Sequence, residues 1–172
     1  MHSYLSLFFT AVLCAAAMPF GLANAKSATP ERFITGTVSH VSDGDTLWLK
    51  TAGSADAIKV RFAGIDAPEA CQAWGREATA ALKSQALRQN AVLSVSARDG
   101  YGRLLGRVRI NGQDMGAWMV SNGHAWSNHY HASKGVYAAE ERAAQQARRG
   151  LWAAGNAIEP KLFRKQHGSC KH

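Results

Sequence analysis

The sequence predicts an α+β fold in which three helices pack on a small five-stranded Greek-key β-barrel. Five stretches alternate apolar and polar residues, as strands with one buried face do, and three others carry apolar residues at helical spacing. Their order is strand, strand, strand, helix, strand, strand, helix, helix. A chain of 172 residues with 47% hydrophobic content is long enough for one domain with a buried core.

The first three strands are predicted to pair in succession as an antiparallel sheet. They span Phe33 to Val41, Thr46 to Thr51 and Ile58 to Gly64. The link from Ala52 to Ala57 has the length of a hairpin connection, so the start of the second strand should lie beside the end of the third. This pairing decides which side chains meet at that end of the sheet.

The later elements follow from an alanine-rich helical stripe, a second alternating pair of strands and two helix-terminating glycines. They are a helix from Gly75 to Gln89, strands from Val92 to Ala97 and Leu104 to Ile110, a short helix capped by Asp114 and ended by Asn122 and Gly123, and a helix from Val136 to Arg149. The domain is placed at residues 33–155. Residues 156–172 are expected to form a basic, irregular tail.

The N-terminal 25 residues resemble a secretory signal peptide. They contain no Lys, Arg, Asp or Glu, and an apolar run precedes the small-residue triplet that ends at Ala25. We therefore expect cleavage after Ala25, export to a periplasm or the medium, no stable membrane association afterwards, and a flexible lead over residues 26–32. An uncleaved anchor helix is the alternative, because the segment before the apolar run carries His2 but no Lys or Arg.

The cysteines are compatible with export. Cleavage would remove Cys14 and leave Cys71 and Cys170, an even number in an oxidising compartment. A disulfide between Cys71 and Cys170 is predicted, and two free or separately buried thiols are the alternative. The bond would join the tail to the segment that follows Glu69.

The charge of the chain favours a polyanionic partner. Lys and Arg number 20 against 12 Asp and Glu, which gives a formal net charge of +8. Nucleic acid is the leading candidate, although a basic exported protein can also be charged only for solubility. The sequence contains no glycine-rich phosphate-binding loop that precedes a helix.

Acidic residues and an arginine cluster at the predicted end of the sheet. The hairpin should bring Asp45 beside Asp66. Arg61 alternates with Val60 and Phe62, so if those two fill the core it should point to the same rim. Glu69 follows Asp66 after a proline. Carboxylates beside a fixed cation suit metal-assisted phosphodiester chemistry, whereas the alternative is a structural ion-pair cluster.

Two turns complete the candidate site. In the turn from Asp43 to Asp45, Gly44 is expected to supply backbone freedom, and Asp43 to hydrogen-bond local backbone. The later turn containing Tyr101 and Gly102 supplies a second arginine, Arg103. Two guanidinium groups can hold the oxygens of one phosphate.

In this order the motifs resemble the thermonuclease family, the staphylococcal nuclease-like proteins. The resemblance rests on Asp-Gly-Asp-Thr, Arg-x-x-x-x-Asp-x-Pro-Glu, Tyr-Gly-Arg and a terminal Gly-Leu-Trp, and it spans Phe33 to Trp152. It implies an OB-fold barrel, dependence on Ca²⁺, and hydrolysis of DNA and RNA, preferentially single-stranded. It further implies cleavage of the 5′ P–O bond, which leaves 3′-phosphorylated products. A monomer without a protein partner is expected.

By motif match, the resemblance also implies a role for each residue. Asp45, Asp66 and the backbone carbonyl of Ala67 correspond to the family's metal ligands, and Glu69 to the residue that orients or deprotonates the attacking water. The arginines Arg61 and Arg103 correspond to those that bind phosphate.

Two tyrosines are expected to bind substrate: Tyr101 a terminal phosphate and Tyr130 a stacked base. The chain departs from the family pattern in two places. Ala67 replaces a frequent threonine, which leaves the carbonyl ligand in place, and Gly100 replaces a frequent basic residue, which removes one phosphate contact. His129 and His131 are expected to be solvated rather than to bind zinc.

Two other function classes remain open on the sequence alone. One is a catalytically silent OB-fold module that binds nucleic acid without cleaving it, and the other is a basic structural protein of the cell envelope. The first would need a cause other than loss of the acids and arginines, because all of these residues are present.

Overall fold

The computed structural model describes residues 32–129, 133–168 and 170. The predicted signal peptide, its cleavage site and nearly all of the N-terminal lead lie outside the described residues. Within them, the strands are β1 (Arg32–Asp43), β2 (Thr46–Lys50), β3 (Ala57–Phe62), β4 (Ile65–Asp66), β5 (Asn90–Arg98), β6 (Leu104–Ile110), β7 (Gln113–Asp114) and β8 (Trp126–Ser127). The helices are α1 (Gly75–Ala86), α2 (Met115–Ser121), α3 (Ala138–Gln146) and α4 (Pro160–His167), with a 3₁₀ turn at Gly150–Trp152.

Five long strands close into a barrel, as the sequence predicts. The sheet order is β3, β2, β1, β5, β6, all antiparallel, and β3 then pairs in parallel with β6 to complete the circle. Thr46 lies opposite Arg61 in the ladder between β2 and β3. The start of the second strand therefore lies beside the end of the third, which confirms the predicted hairpin.

The barrel interior is filled by the apolar residues of the alternating strands. On β3, Val60 and Phe62 are buried, whereas the alternating residues Lys59 and Arg61 are partly exposed. Helix α1 packs on β1 and buries Ala78, Leu82 and Ala86 of its alanine-rich stripe, whereas Gln85 of the same predicted stripe is exposed. Arg61 is thus fixed by a core strand while its side chain points away from the core.

Helix α1 ends at Ala86, three residues before the predicted end. The cause is pairing of the next residues with β1: the Arg88 N–H donates to the Val38 carbonyl, and the Val38 N–H donates to the Gln89 carbonyl, both at 2.9 Å. Arg88 has a φ of 65°, which a continuing helix does not allow. Local propensity favours the longer helix, but hydrogen bonds to Val38 of β1 hold these residues outside the helix instead.

The second and third helices are present. Asp114 caps α2 by accepting a 3.1 Å hydrogen bond from the Ala117 N–H, as predicted. Helix α3 is shorter than its predicted range, because Arg148 takes a left-handed conformation with φ of 50° and Gly150 begins a separate 3₁₀ turn. The Tyr137 hydroxyl donates to Asp114 and so links the start of α3 to the cap of α2.

The C-terminal segment contains a helix that the sequence analysis missed. Residues 156–172 were expected to be irregular, yet α4 runs through them from Pro160, a residue type that suits the first helical turn. The predicted disulfide is present: Cys71 and Cys170 are bonded, with Cα atoms 5.8 Å apart. Among the described residues no helix is both long and apolar enough to cross a membrane.

Candidate active site

The turn before β2 positions Asp45. The Asp43 carboxylate accepts a 3.0 Å hydrogen bond from the Asp45 N–H, the local support expected of it. Gly44, however, does not have a positive φ, so backbone freedom is not its role. A Cβ at Gly44 would lie 2.7 Å from the Ala67 Cβ and 3.0 Å from the Ala78 Cβ. The turn needs glycine because it packs tightly against the segment after β4.

Asp45 and Asp66 converge across the ladder, as predicted. The Ala67 N–H donates to Asp45 Oδ2 at 2.9 Å, and the Phe62 N–H donates to the Asp45 carbonyl at 2.8 Å. Short β4 carries Asp66, which lies opposite Trp126 of β8. Arg61 joins the two acids, because its Nη1 pairs with Asp45 and its Nη2 lies 2.8 Å from Asp66 Oδ1.

Burial governs the electrostatics of this trio. Asp45 is 3% exposed, and burial raises its pKa to about 6 in spite of the opposing charge of Arg61. Burial alone would lower the pKa of Arg61, but the charges of Asp45 and Asp66 outweigh it and raise that pKa. Arg61 therefore remains a cation, while Asp45 is a carboxylate that needs positive charge nearby to stay ionised.

Glu69 stands on a loop that is tightly folded against the start of α1. Its N–H donates to Gln72 Oε1 at 3.1 Å, and its carbonyl accepts from the Gln72 N–H at 2.8 Å. A Cβ at Gly75 would lie 1.9 Å from the Glu69 carbonyl oxygen, so only glycine fits there. These contacts fix the backbone from which the Glu69 carboxylate extends.

Arg103 and Tyr101 stand on the turn between β5 and β6. The Asp99 carboxylate organises this turn by accepting from the N–H groups of Tyr101 and Arg103 at 3.0 and 2.9 Å, and it lies 2.7 Å from Arg103 Nε. The Arg103 guanidinium lies 5.6 Å from the centre of the Tyr101 ring, which is 89% exposed. An arginine and an exposed aromatic ring are thus held at the rim.

These residues share one cleft of about 640 Å³. Its lining consists of Asp43, Asp45, Lys59, Arg61, Ala67, Pro68, Glu69, Ala70, Tyr101, Arg103 and Arg164. Asp66 is buried beneath the lining and touches it through Arg61 and Arg164. A second cavity of about 600 Å³ lies beside β1, and among the described residues Lys50 is the one ionisable side chain that lines it, with no described carboxylate there.

Arg164, like Lys59, is a charged cleft residue that the sequence did not identify. It extends from α4, and its guanidinium lies 2.9 Å from Asp66 Oδ2 and 2.8 Å from Glu69 Oε1. The available signal was the predicted disulfide, which ties the basic tail to the segment after Glu69. Tyr130, the predicted base-stacking residue, and the neighbouring His131 lie outside the described residues.

The donor set of the cleft fits a hard divalent cation. In the described part of the chain no three His, Cys, Asp or Glu side chains are grouped as metal ligands. The predicted set does not require three, because it combines Asp45 and Asp66 with the carbonyl of Ala67. Oxygen donors of these types are the ligands that Ca²⁺ accepts, and a buried carboxylate with a raised pKa favours a cation beside it.

Fold and site together define a class of protein: an OB-fold barrel whose cleft sets two converging acids and a glutamate among arginines. Residues 59–154 match the sequence model of the staphylococcal nuclease homologue family, which is more than half of the chain. The chain belongs to this family.

Individual relatives agree with this assignment. The chain is 38% identical to an uncharacterized endonuclease of Haemophilus influenzae, over 77% of this chain and 74% of the relative. It is 34% identical to an uncharacterized endonuclease of Escherichia coli, over 76% of this chain and 85% of the relative. It is also 36% identical to a micrococcal nuclease of Shigella flexneri, over 76% and 80%. Family membership with the acids and arginines in place supports a nuclease.

Proposed function

We propose that the protein is an exported, Ca²⁺-dependent nuclease that hydrolyses DNA and RNA without sugar specificity. The observation that carries the proposal is the meeting of Asp45, Asp66 and Glu69 with Arg61 and Arg103 at one cleft. These five residues come from four separate segments of the chain. A purely structural ion-pair cluster has no need of Arg103, which stands on a turn of its own and is paired with Asp99.

Each residue then has a chemical task. Asp45, Asp66 and the Ala67 carbonyl would hold the Ca²⁺, which when bound supplies positive charge for the developing phosphorane oxygens. Arg61 and Arg103 bind the non-bridging phosphate oxygens, since a planar guanidinium matches two oxygens at once. Glu69 orients a water molecule for in-line attack and accepts its proton.

The proposed reaction cleaves the 5′ P–O bond. The water oxygen forms a new bond to phosphorus, its proton passes to Glu69, and the bond from phosphorus to the 5′ oxygen breaks. Arg103 stabilises the negative charge that grows on the phosphoryl group, and the departing 5′ oxygen takes a proton from solvent water to leave as a 5′ hydroxyl. The phosphate stays on the 3′ side, so the products are 3′-phosphorylated.

The expected substrate follows from the positive groups and the exposed tyrosine of the cleft. Its positive groups contact phosphates, which DNA and RNA share, so we expect little sugar or sequence preference. Tyr101, exposed at the rim, suits an unpaired strand, whose bases and terminal phosphate are accessible. Export is supported by the N-terminal sequence and by the disulfide, which persists in oxidising compartments.

A catalytically silent binding module is the second candidate. One observation favours it: Arg164 engages both carboxylate oxygens of Asp66 and one oxygen of Glu69. Because Arg61 already pairs with Asp45, all three acids have a cationic partner. Such a protein would bind single strands in the cleft and leave them intact.

Incubation with single-stranded DNA in Ca²⁺ or in chelator separates the two functions. Metal-dependent cleavage to 3′-phosphorylated products is expected, and binding without cleavage would establish the silent module. We expect Glu69→Gln to lower kcat by about 10²- to 10⁴-fold and Arg103→Ala by about 10²- to 10³-fold, with thermal unfolding unchanged. Arg109→Ala, an exposed arginine of β6, is the matched control. Full activity of either cleft variant refutes its assigned role.

A further inference from the structure

Helix α4 is attached to the rest of the protein by few contacts. Its only buried residue is Pro160, and Leu162 is 47% exposed. Ahead of the helix, Gln72 Nε2 donates a 2.6 Å hydrogen bond to the Ile158 carbonyl, and beyond it Cys170 is bonded to Cys71. Between these two attachments lies Arg164. The helix is thus held at the cleft by polar and covalent contacts rather than by apolar packing.

The Arg164 guanidinium replaces neither of the two predicted arginines. Arg61 donates to Asp66 Oδ1 at 2.8 Å. Arg164 donates to Asp66 Oδ2 at 2.9 Å, more distantly to Oδ1 at 3.3 Å, and to Glu69 at 2.8 Å. The Arg61 side chain is 19% exposed and that of Arg164 is 34% exposed. Arg164 is therefore the more exposed of the two arginines that contact Asp66, and it lines the cleft in which substrate would lie.

A divalent cation on Asp66 would weaken this contact. The guanidinium and the ion would compete for the same carboxylate, and two cations that contact one carboxylate repel each other. A guanidinium that fits a carboxylate also fits a phosphate, because both present two oxygens at similar spacing. A phosphate of the bound strand is therefore the natural new partner of Arg164.

We propose that Arg164 is a third phosphate-binding arginine of the cleft, which rests on Asp66 and Glu69 in the free protein and passes to a substrate phosphate when the metal ion binds. This inference rests on the proposed function and extends it to α4. Two further basic residues of the helix, Lys161 and Lys165, are exposed and add positive charge to α4.

The first test measures how tightly a strand binds. A fluorescent eight-nucleotide single-stranded DNA is titrated in Ca²⁺ with the full exported chain carrying Arg103→Ala, which slows cleavage and leaves the contacts of Arg164 intact. Adding Arg164→Gln should raise Kd about tenfold and make the slope of log K against log salt shallower by about 0.7, the value for one phosphate contact on a single strand. Arg164→Lys should restore most of the slope, because the charge remains.

A control variant and three outcomes separate a phosphate-binding Arg164 from one that only pairs with the acids or obstructs the cleft. Arg109→Gln removes the same charge outside the cleft and should leave the salt slope unchanged. An unchanged Kd and slope in Arg164→Gln would show that Arg164 is only an ion-pair partner, and tighter DNA binding would show that it obstructs the cleft. Either result overturns the proposal. Failure of the unsubstituted protein to cleave DNA would instead count against the proposed function.

The second test uses Ca²⁺ alone, without nucleic acid. Calorimetric titration of the metal-free protein should show several-fold tighter Ca²⁺ binding after Arg164→Gln, because a competing cation has left Asp66 and Glu69. Weaker or unchanged Ca²⁺ binding would contradict the transfer of Arg164 between carboxylates and phosphate.

Discussion

The two sides of the cleft are fixed by different means. On the barrel side, Asp45 and Arg61 belong to the β2–β3 hairpin, whose neighbouring residues Leu47, Val60 and Phe62 fill the core. On the other side, Arg164 extends from a helix that buries only Pro160. The barrel side is therefore positioned by folding of the core, and the α4 side by the ion pairs and the disulfide.

This difference matches the tasks that the proposal gives each side. Metal ligands must hold their geometry, so they suit strands that cannot move without disrupting the barrel. A residue that passes from carboxylate to phosphate needs an element that can shift at little cost, and weakly packed segments provide this. The contrast makes distinct predictions for stability and for substrate binding.

The largest expected effect on the free energy of unfolding comes from replacing one of the two arginines that contact Asp66. Arg61→Gln leaves Asp45 and Asp66 buried without their shared partner, and we expect a loss of about 3 to 5 kcal/mol in the free energy of unfolding at pH 7. Arg164→Gln should cost less than about 1 kcal/mol, since its pairs are screened by solvent. Urea titrations of both variants, with Arg109→Gln as control, measure the difference. Equal costs would mean that α4 is as integral to the fold as the hairpin.

The barrel side could be predicted from the sequence because its geometry follows from local rules. Alternation along β3 places Arg61 on the face that Val60 and Phe62 do not share. The length of the hairpin pairs Thr46 with Arg61, and this pairing brings Asp45 to the end of β3. The role of Gly44 could not be predicted, since composition suggested backbone freedom and the cause is the nearby Ala67 and Ala78. That contact exists only in the folded chain.

The α4 side could not be predicted because helix α4 has no buried apolar stripe to mark it. Its position depends on the disulfide and on charge pairs between residues almost 100 positions apart, Asp66 and Arg164 among them. The number of cysteines indicated the link between Cys71 and Cys170. It did not indicate which basic residue of the tail would reach the cleft.

A second prediction concerns pH and the barrel side. Burial raises the pKa of Asp45 from 3.8 to about 6, so between these values the folded protein holds a proton that the unfolded chain has released. The free energy of unfolding of the metal-free protein should therefore fall as pH rises from about 4 to about 6, by at most about 3 kcal/mol. Asp45→Asn should remove this slope. Urea midpoints in chelator across that range test it, and parallel curves for the two proteins would contradict it.

A further prediction concerns the disulfide, whose removal is expected to cost less stability than Arg61→Gln. A bond across 99 positions should stabilise by about 4 to 5 kcal/mol if it only restricts the unfolded chain. In Cys71→Ser with Cys170→Ser, however, the native protein also gains freedom, because few contacts then hold α4. We expect a loss of less than about 2 kcal/mol in urea titrations.

The same double variant should affect substrate binding more than stability. Without the bond, Arg164 spends less time at the cleft, so KM for single-stranded DNA should rise toward the value of Arg164→Gln while kcat changes little. The unsubstituted protein in reducing agent should show the same rise in KM with little change in kcat. A loss of the full 4 to 5 kcal/mol with an unchanged KM would reverse the assignment and make the disulfide a clamp on the whole fold. Urea titration and KM of the double variant together therefore decide whether the disulfide mainly stabilises the barrel or mainly holds Arg164 of α4 at the cleft.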